Sequence, residues 1–267
     1  DGHRQRKSGR VEIIDVRRIL AQTHKRDGDR GLVSVVVCCH CHIKGAQVCI
    51  ACGGGGETTE APAAESTPEV ASGVTPDLSE AGSISGKVNF EGTKPRMPRI
   101  RMSAEPTCEA KHSGPTYAQE VLINEDGTLK NVFIWVKEGL EDYKFDTPTE
   151  AATLDQDGCL YSPHVFGVQT NQKINIGNND SVTHNIHPVP KNNREWNISQ
   201  SPEQKYTRSF PRQEIMVPVK CNVHPWMKAY IGVISHPYFS VTGADGSFNL
   251  NDLPPGDYTV EAWHEKF

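Results

Sequence analysis

The stretch EIMVPVKCNVHPWMKAYIGVI, residues 214–234, decides how this chain is read. Ile215, Val217 and Val219 alternate with Met216, Pro218 and Lys220, the period of a strand with one buried face. That alternation carries Cys221 onto the inward face at the strand's end. Pro225 cannot continue a hydrogen-bonded ladder, so the chain turns there before KAYIGVI resumes as a second strand. One strand–loop–strand unit thereby presents a thiol (Cys221), an imidazole (His224) and a thioether (Met227) from a single turn, in a chain with only four methionines.

Strand-like segments continue in both directions. SISGKVNFEG (83–92), QEVLINEDGTLKNVFIWVKEG (119–139), VFGVQTNQKINIGNND (165–180) and AYIGVISH (229–236) are short, rich in Val, Ile, Phe and Trp, and bounded by Gly, Asn, Asp or Pro. NEDGTL (124–129) and GADGSF (243–248) carry Asp-Gly hairpin signals. Convincing helical periodicity is absent. The pattern predicts an all-β chain, an antiparallel Greek-key β-sandwich over residues 82–235 whose two sheets bury their facing sides.

Charge and cysteine separate the N-terminal part from this body. Residues 1–52 hold 10 Lys and Arg against 5 Asp and Glu, net +5, and five of the eight cysteines; the remainder holds 18 against 28, net −10. An acidic body argues against a nucleic-acid or anionic-membrane surface. No apolar run reaches the roughly 18 residues of a membrane-spanning helix. Residues 53–81, GGGGETTEAPAAESTPEVASGVTPDLSEA, are too polar to bury a core and read as a disordered linker. VCIAC ending at Cys52, followed by that tether, resembles a bacterial lipoprotein processing site, with Cys52 as the lipidated residue. The apolar region before it is short and broken by His40, His42 and Lys44, so residues 1–52 read either as a leader or as sequence upstream of the true start. The ligands of CCHCH (38–42) are adjacent rather than spaced to wrap a zinc ion. The chain starts at Asp1 and stops within the strand-like DYTVEAWHEKF, so the expectation is a fragment open at both ends.

Cys221, His224 and Met227 have a bland explanation as a buried thiol, a surface histidine and a core methionine. A second source of imidazole, NNDSVTHNIHP (178–188), follows a predicted strand and brings His184 and His187 into consideration. Two imidazoles, a thiolate and a weak axial thioether form the ligand set of a blue-copper electron-transfer site. Zinc competes poorly, since a thioether is a weak zinc ligand.

THNIH and CNVHPWM also resemble the two ligand segments of the cupredoxins, most nearly those of the amicyanin kind. The resemblance implies His184, Cys221 and His224 as equatorial ligands of one copper ion, with Met227 axial. It makes His187 an outer or structural residue and places Asn185 where the two ligand segments are tied together. Pro225 and Trp226 fall beside the second imidazole. Trp226 is either a core tryptophan or part of an apolar docking patch around a partly exposed His224 edge. Two departures stand out: the 33 residues 188–220 exceed a minimal cupredoxin and predict an inserted loop, and Val219 replaces a usual tyrosine.

Cys108 and Cys159 read as a disulfide, a loop of about 50 residues worth roughly 4 kcal/mol, or else as a second metal site with His112 and His164. Residues 236–267, with a Pro-Pro-Gly turn and alternating YTVEAW, resemble the start of a carboxypeptidase regulatory-like module, a partial immunoglobulin- or transthyretin-like sandwich without catalysis. GSISGKVNFEGTKPRMP (82–98) resembles its opening strands, and residues 82–102 are candidates to pair with it. No His-Glu-x-x-His occurs, so no peptidase is implied. Together the resemblances imply a bacterial, methylamine-utilisation-like exported protein, periplasmic or at the cell surface. On this reading it carries single electrons between redox proteins such as a cytochrome or a dehydrogenase, with membrane contact only through an N-terminal lipid. The alternatives are non-redox copper storage or sensing, a cell-surface binding module, and a piece of a larger multicopper oxidoreductase.

Overall fold

The computed structural model describes residues 73–79 and 81–267, so the leader expectation for 1–52, Cys52 included, and most of the expected linker lie outside the described residues. Within the stretch expected to be linker, Val74 bridges Tyr143, donating to the Asp142 carbonyl and accepting from Lys144 N–H.

The described residues form sixteen strands and one helical turn in the order β1 (Gly82–Lys87), α1 (Pro106–Glu109), β2 (Leu122–Ile123), β3 (Leu129–Lys130), β4 (Phe133–Glu138), β5 (Ala152–Asp157), β6 (Leu160–Ser162), β7 (Val165–Gln169), β8 (Ile174–Asn178), β9 (His184–Pro188), β10 (Ile198–Gln200), β11 (Lys205–Arg208), β12 (Glu214–Lys220), β13 (Lys228–Ile234), β14 (Phe239–Val241), β15 (Ser247–Leu253) and β16 (Thr259–Trp263). Among the described residues no helix is long and apolar enough to cross a membrane.

One sandwich stacks the five-stranded sheet β10-β9-β12-β13-β7 on the four-stranded sheet β11-β8-β5-β6. Leu154, Val168, Ile176, Ile186, Val217 and Ile231 fill the space between, each essentially inaccessible to water. Two of its pairings, β13 with β7 and β5 with β8, run parallel, so the sheets are mixed rather than purely antiparallel. The expected insertion is no loose loop. Its β-branched and aromatic residues form β10, an edge strand on β9, and β11, an edge strand on β8. Buried Gln200 of β10 lies opposite His184 in register and donates to the Ile176 and Gln204 carbonyls, while its Oε1 accepts from Gln156 Nε2 at 2.7 Å. At the insertion's other end, the Glu214 carboxylate of β12 accepts from the N–H groups of Lys191, Asn192 and Asn193.

Strand pairing divides the body differently from a boundary at 82–235. β4 is the central strand of the sheet β14-β4-β16, and β1 pairs antiparallel with β15. Ile84, Leu129, Ile134, Phe248, Leu250 and Val260 make a separate core there. A third cluster, with Phe133 and Trp135 of β4 against Val165, Met216 and Ile234, joins the two bodies. The alternation read in β12 breaks at Met216, whose φ of 56° accompanies a register shift between Glu214 and Val217. The bulge sends Met216 inward to that third cluster beside Ile215, while Val217, Val219 and Cys221 keep the sandwich face.

NEDGTL does close the hairpin β2–β3, but GADGSF links β14 to β15, which lie in different sheets. At Gly246, φ of 66°, a Cβ would stand 2.3 Å from that of Thr128, so the turn packs onto the first hairpin only with glycine. A third Asp-Gly signal passed unread: Asp157 pairs with Leu160 across a two-residue turn, Gly158 at φ 62° and Cys159 at φ 54°.

His236, buried in the second body, donates from Nε2 to the Val136 carbonyl at 2.9 Å and accepts the Tyr238 N–H on Nδ1 at 3.2 Å. An imidazolium cannot accept, and burial pushes this group down from 6.5 to about 4. Between those values the unfolded chain takes up a proton that the folded chain refuses, so stability falls as pH drops from 6.5 toward 4. Urea unfolding of the metal-free protein across that window is expected to lose roughly 2–3 kcal/mol through this residue, and His236→Gln to flatten the slope by that share.

Candidate metal centre

The antiparallel pair β9–β12 brings the two halves of the site together. His187 faces Lys220 across the ladder, which sets His184 at the head of β9 beside Cys221 just beyond β12. The loop closes on itself: Cys221 N–H donates to the Met227 carbonyl at 3.3 Å, Met227 N–H to the His224 carbonyl at 2.9 Å, and His224 N–H to Cys221 Sγ at 3.4 Å. Asn185 ties the segments. Its Oδ1 accepts the Asn222 N–H at 2.6 Å, the Val223 N–H at 3.3 Å and the Cys221 thiol at 3.3 Å, and its amide donates to Asn197.

His184 Nδ1 and His224 Nδ1 lie 2.9 Å apart, and Cys221 Sγ is 3.9 Å from the latter; one donor atom from each of the three falls within 4.8 Å of the others, all buried. His184 Nε2 donates to Asp180 Oδ2 at 2.8 Å, so in the neutral ring Nδ1 is the nitrogen with the lone pair a metal would use. A carboxylate behind a histidine ligand fixes ring orientation and raises the basicity of the nitrogen that binds. The spacing of the two Nδ1 atoms suits nitrogen donors sharing one ion at about 2 Å. The donor set of buried thiolate and two imidazoles, on a loop that also holds fully buried Met227, fits copper.

The electrostatics divide the protons unequally among these groups in the metal-free protein. Asp180 is partly desolvated, which alone would raise its pKa, yet bonds from His184, Cys159 N–H and Gly158 N–H hold it down to about 2. Burial pulls His184 down, but the Asp180 bond and Cys221 outweigh it and raise the group above its usual value. Cys221 is lowered overall: burial raises it, and His184 with the Asn185 and His224 amides lowers it further. His224 is lowered by burial and by the His184 charge, which keeps its ring neutral.

The other predicted residues take different places around this centre. His187 bonds Asn222 Oδ1 and Glu195 Oε1. Pro225 is exposed. Cys108 and Cys159 are joined in a disulfide rather than splayed around a metal with His112 and His164: His112 Nε2 donates to the Gly158 carbonyl, and His164 bonds the Lys228 carbonyl and Glu265. The expectation of a partly exposed His224 edge is overturned. His224 is only 2% exposed, because Cys108 Sγ lies 3.8 Å from its Nε2. Trp226 is half-buried, packs 5.1 Å from the His224 ring and donates its indole N–H to the Cys159 carbonyl at 3.0 Å. Asp180 was missed. The four-residue spacing to His184 was visible in NNDSVTH, but Asp180 read only as a turn residue. Tyr161, whose hydroxyl donates to the Asn185 carbonyl at 2.5 Å, left no local signal.

Solved copper proteins resemble part of the chain. A Cu-containing nitrite reductase (NirK) from Thermus scotoductus SA-01 is 17% identical with a TM-score of 0.30 over 32% of this chain and 22% of its own. A purple cupredoxin from Nitrosopumilus maritimus is 20% identical, TM-score 0.27, over 31% of this chain and 98% of its own. A mutant amicyanin in its Cu(I) form is 20% identical, TM-score 0.29, over 33% and 86%. The chain therefore spans about a fifth of the reductase's length. No family model matches the chain, and no curated protein matches it by sequence.

Asp180→Ala is expected to leave two buried amides and one imidazole N–H without an acceptor. The metal-free protein should lose roughly 3–5 kcal/mol in urea unfolding. Copper affinity, read by competition with a chelator, should fall about 10–100-fold.

Proposed function

We propose that this chain binds a single copper ion of the blue type and carries one electron at a time. The observation that carries the reading is the facing pair of Nδ1 atoms, His184 and His224, with Cys221 Sγ in the same buried group. Met227 is the axial donor on this reading. When bound, copper would supply the one-electron couple, thiolate favouring Cu(I) and imidazole accommodating Cu(II). The chain's own residues would keep the donors still between those states. Asp180 holds the His184 ring, Asn185 clamps the Cys221 loop, and the surrounding core excludes water.

The Cys108–Cys159 disulfide suits an oxidising compartment and supports export to the periplasm or cell surface, with Cys52 as the lipid anchor. Partner redox proteins of the cytochrome or dehydrogenase kind would exchange electrons beside Trp226, the half-buried ring packed on His224. The second body, with β1 on β15, would be the carboxypeptidase regulatory-like module in a non-catalytic, scaffolding role. The sealed His224 edge favours one competing reading, copper storage, in which the ion is held rather than cycled.

Copper(II) added to the full chain, with its five N-terminal cysteines replaced by serine, is expected to give an intense visible thiolate-to-copper band that Cys221→Ser abolishes. A band that survives Cys221→Ser, or none at all, sinks the assignment. Reversible redox titration without copper loss to a chelator separates a carrier from a store.

A further inference from the structure

The Cys108–Cys159 pair lies against the same imidazole from the other side. Cys108 Sγ is 3.8 Å from His224 Nε2, the ring atom turned away from His184. One donor atom each of Cys108, Cys159 and His224 lies within 4.8 Å of the others, and all three residues are buried. We propose that the disulfide is the closed form of a second metal site, and that the reduced pair, with His224 Nε2, takes up one Cu(I) ion. The choice of copper rests on the function proposed above; the two sulfur donors are independent of it.

A protein dithiol or dithiothreitol would open the site. Its two electrons and two protons break the S–S bond, two thiols form, and the reductant becomes a disulfide. Binding of Cu(I) then displaces both thiol protons, and the metal does not change oxidation state. Two thiolates and one imidazole are a soft set of three, which suits Cu(I) better than zinc, whose structural sites are four-coordinate.

The sulfurs would stay together after reduction because the turn that follows α1 has other ties to the β5–β6 hairpin. Lys111 Nζ bonds Asp157 Oδ1 at 3.1 Å and lies 3.5 Å from Asp180 Oδ1, and His112 Nε2 donates to the Gly158 carbonyl at 2.8 Å. Lys111 also supplies positive charge near a centre that would carry one net negative charge. A neutral imidazole has one lone pair. Copper at the first site needs that pair on Nδ1 and copper at the second needs it on Nε2, so the ring serves one site at a time and the state of the disulfide selects where copper sits.

The test uses the full chain carrying Cys38→Ser, Cys39→Ser, Cys41→Ser, Cys49→Ser, Cys52→Ser and Cys221→Ser, which removes the first site. With the disulfide intact, this protein is expected to retain no Cu(I) against bicinchoninate. After reduction and removal of the reductant it should retain one Cu(I), with two sulfurs and one nitrogen in X-ray absorption. His224→Ala should weaken that binding at least about tenfold, and adding Cys108→Ser with Cys159→Ser should abolish it. The proposal is overturned if reduction leaves Cu(I) retention unchanged, if His224→Ala binds as tightly as its parent, if Zn(II) displaces Cu(I), or if reduction removes the strand signal in circular dichroism. The blue-copper reading is tested with Cys221 present and the disulfide closed, so either proposal can fail alone.

Discussion

The Asp180 carboxylate is the interaction on which the rest of this site depends. It accepts hydrogen bonds from His184 Nε2–H and from the main-chain N–H groups of Gly158 and Cys159, each at 2.8 Å, while Lys111 approaches one oxygen. A buried carboxylate with that many donors is stable as an anion, and it is costly to leave any of the donors unmatched. Through it, three parts of the chain share one orientation: the β8–β9 turn, the β5–β6 hairpin tip and the turn after α1. Cys159 sits there at φ 54°, a conformation an L-residue adopts only when held, and the two bonds to Asp180 do the holding.

Much of the fold was legible because strand periodicity is local. Val217 and Val219 predict their own inward face and that of Cys221, and the strand signals of β4, β7, β8 and β13 are carried by runs of Val, Ile and Phe. What was not legible depends on contacts between segments. Nothing near Phe133 says that β4 belongs with β14 and β16, since that is decided by pairing across about a hundred residues of chain. Ile215 and Met216 obeyed the alternation on paper, but Met216 at a bulge satisfies a neighbouring cluster instead.

The site shows the same division. Cys221 and His224 stood out because their loop is a local motif, and His184 was preferred to His187 only through the resemblance to cupredoxin ligand segments. That His224 would be sealed could not be read. The sealing residue, Cys108, lies 116 positions away, and its partner Cys159 occupies a hairpin turn marked in the sequence by Asp157-Gly158. A disulfide pairing inferred from composition says which sulfurs join, and nothing about which ring they cover.

The amide of Gln200 acquires a meaning from its place opposite His184. It spends its donors on the Ile176 and Gln204 carbonyls and its oxygen on Gln156, all in a buried position. A one-residue slip of β10 would turn this side chain to the opposite face and strand those partners in the interior. The edge strand therefore has one admissible alignment. The ring that heads β9 inherits that alignment, so a polar side chain with no ligand role acts as a vernier for the position of His184.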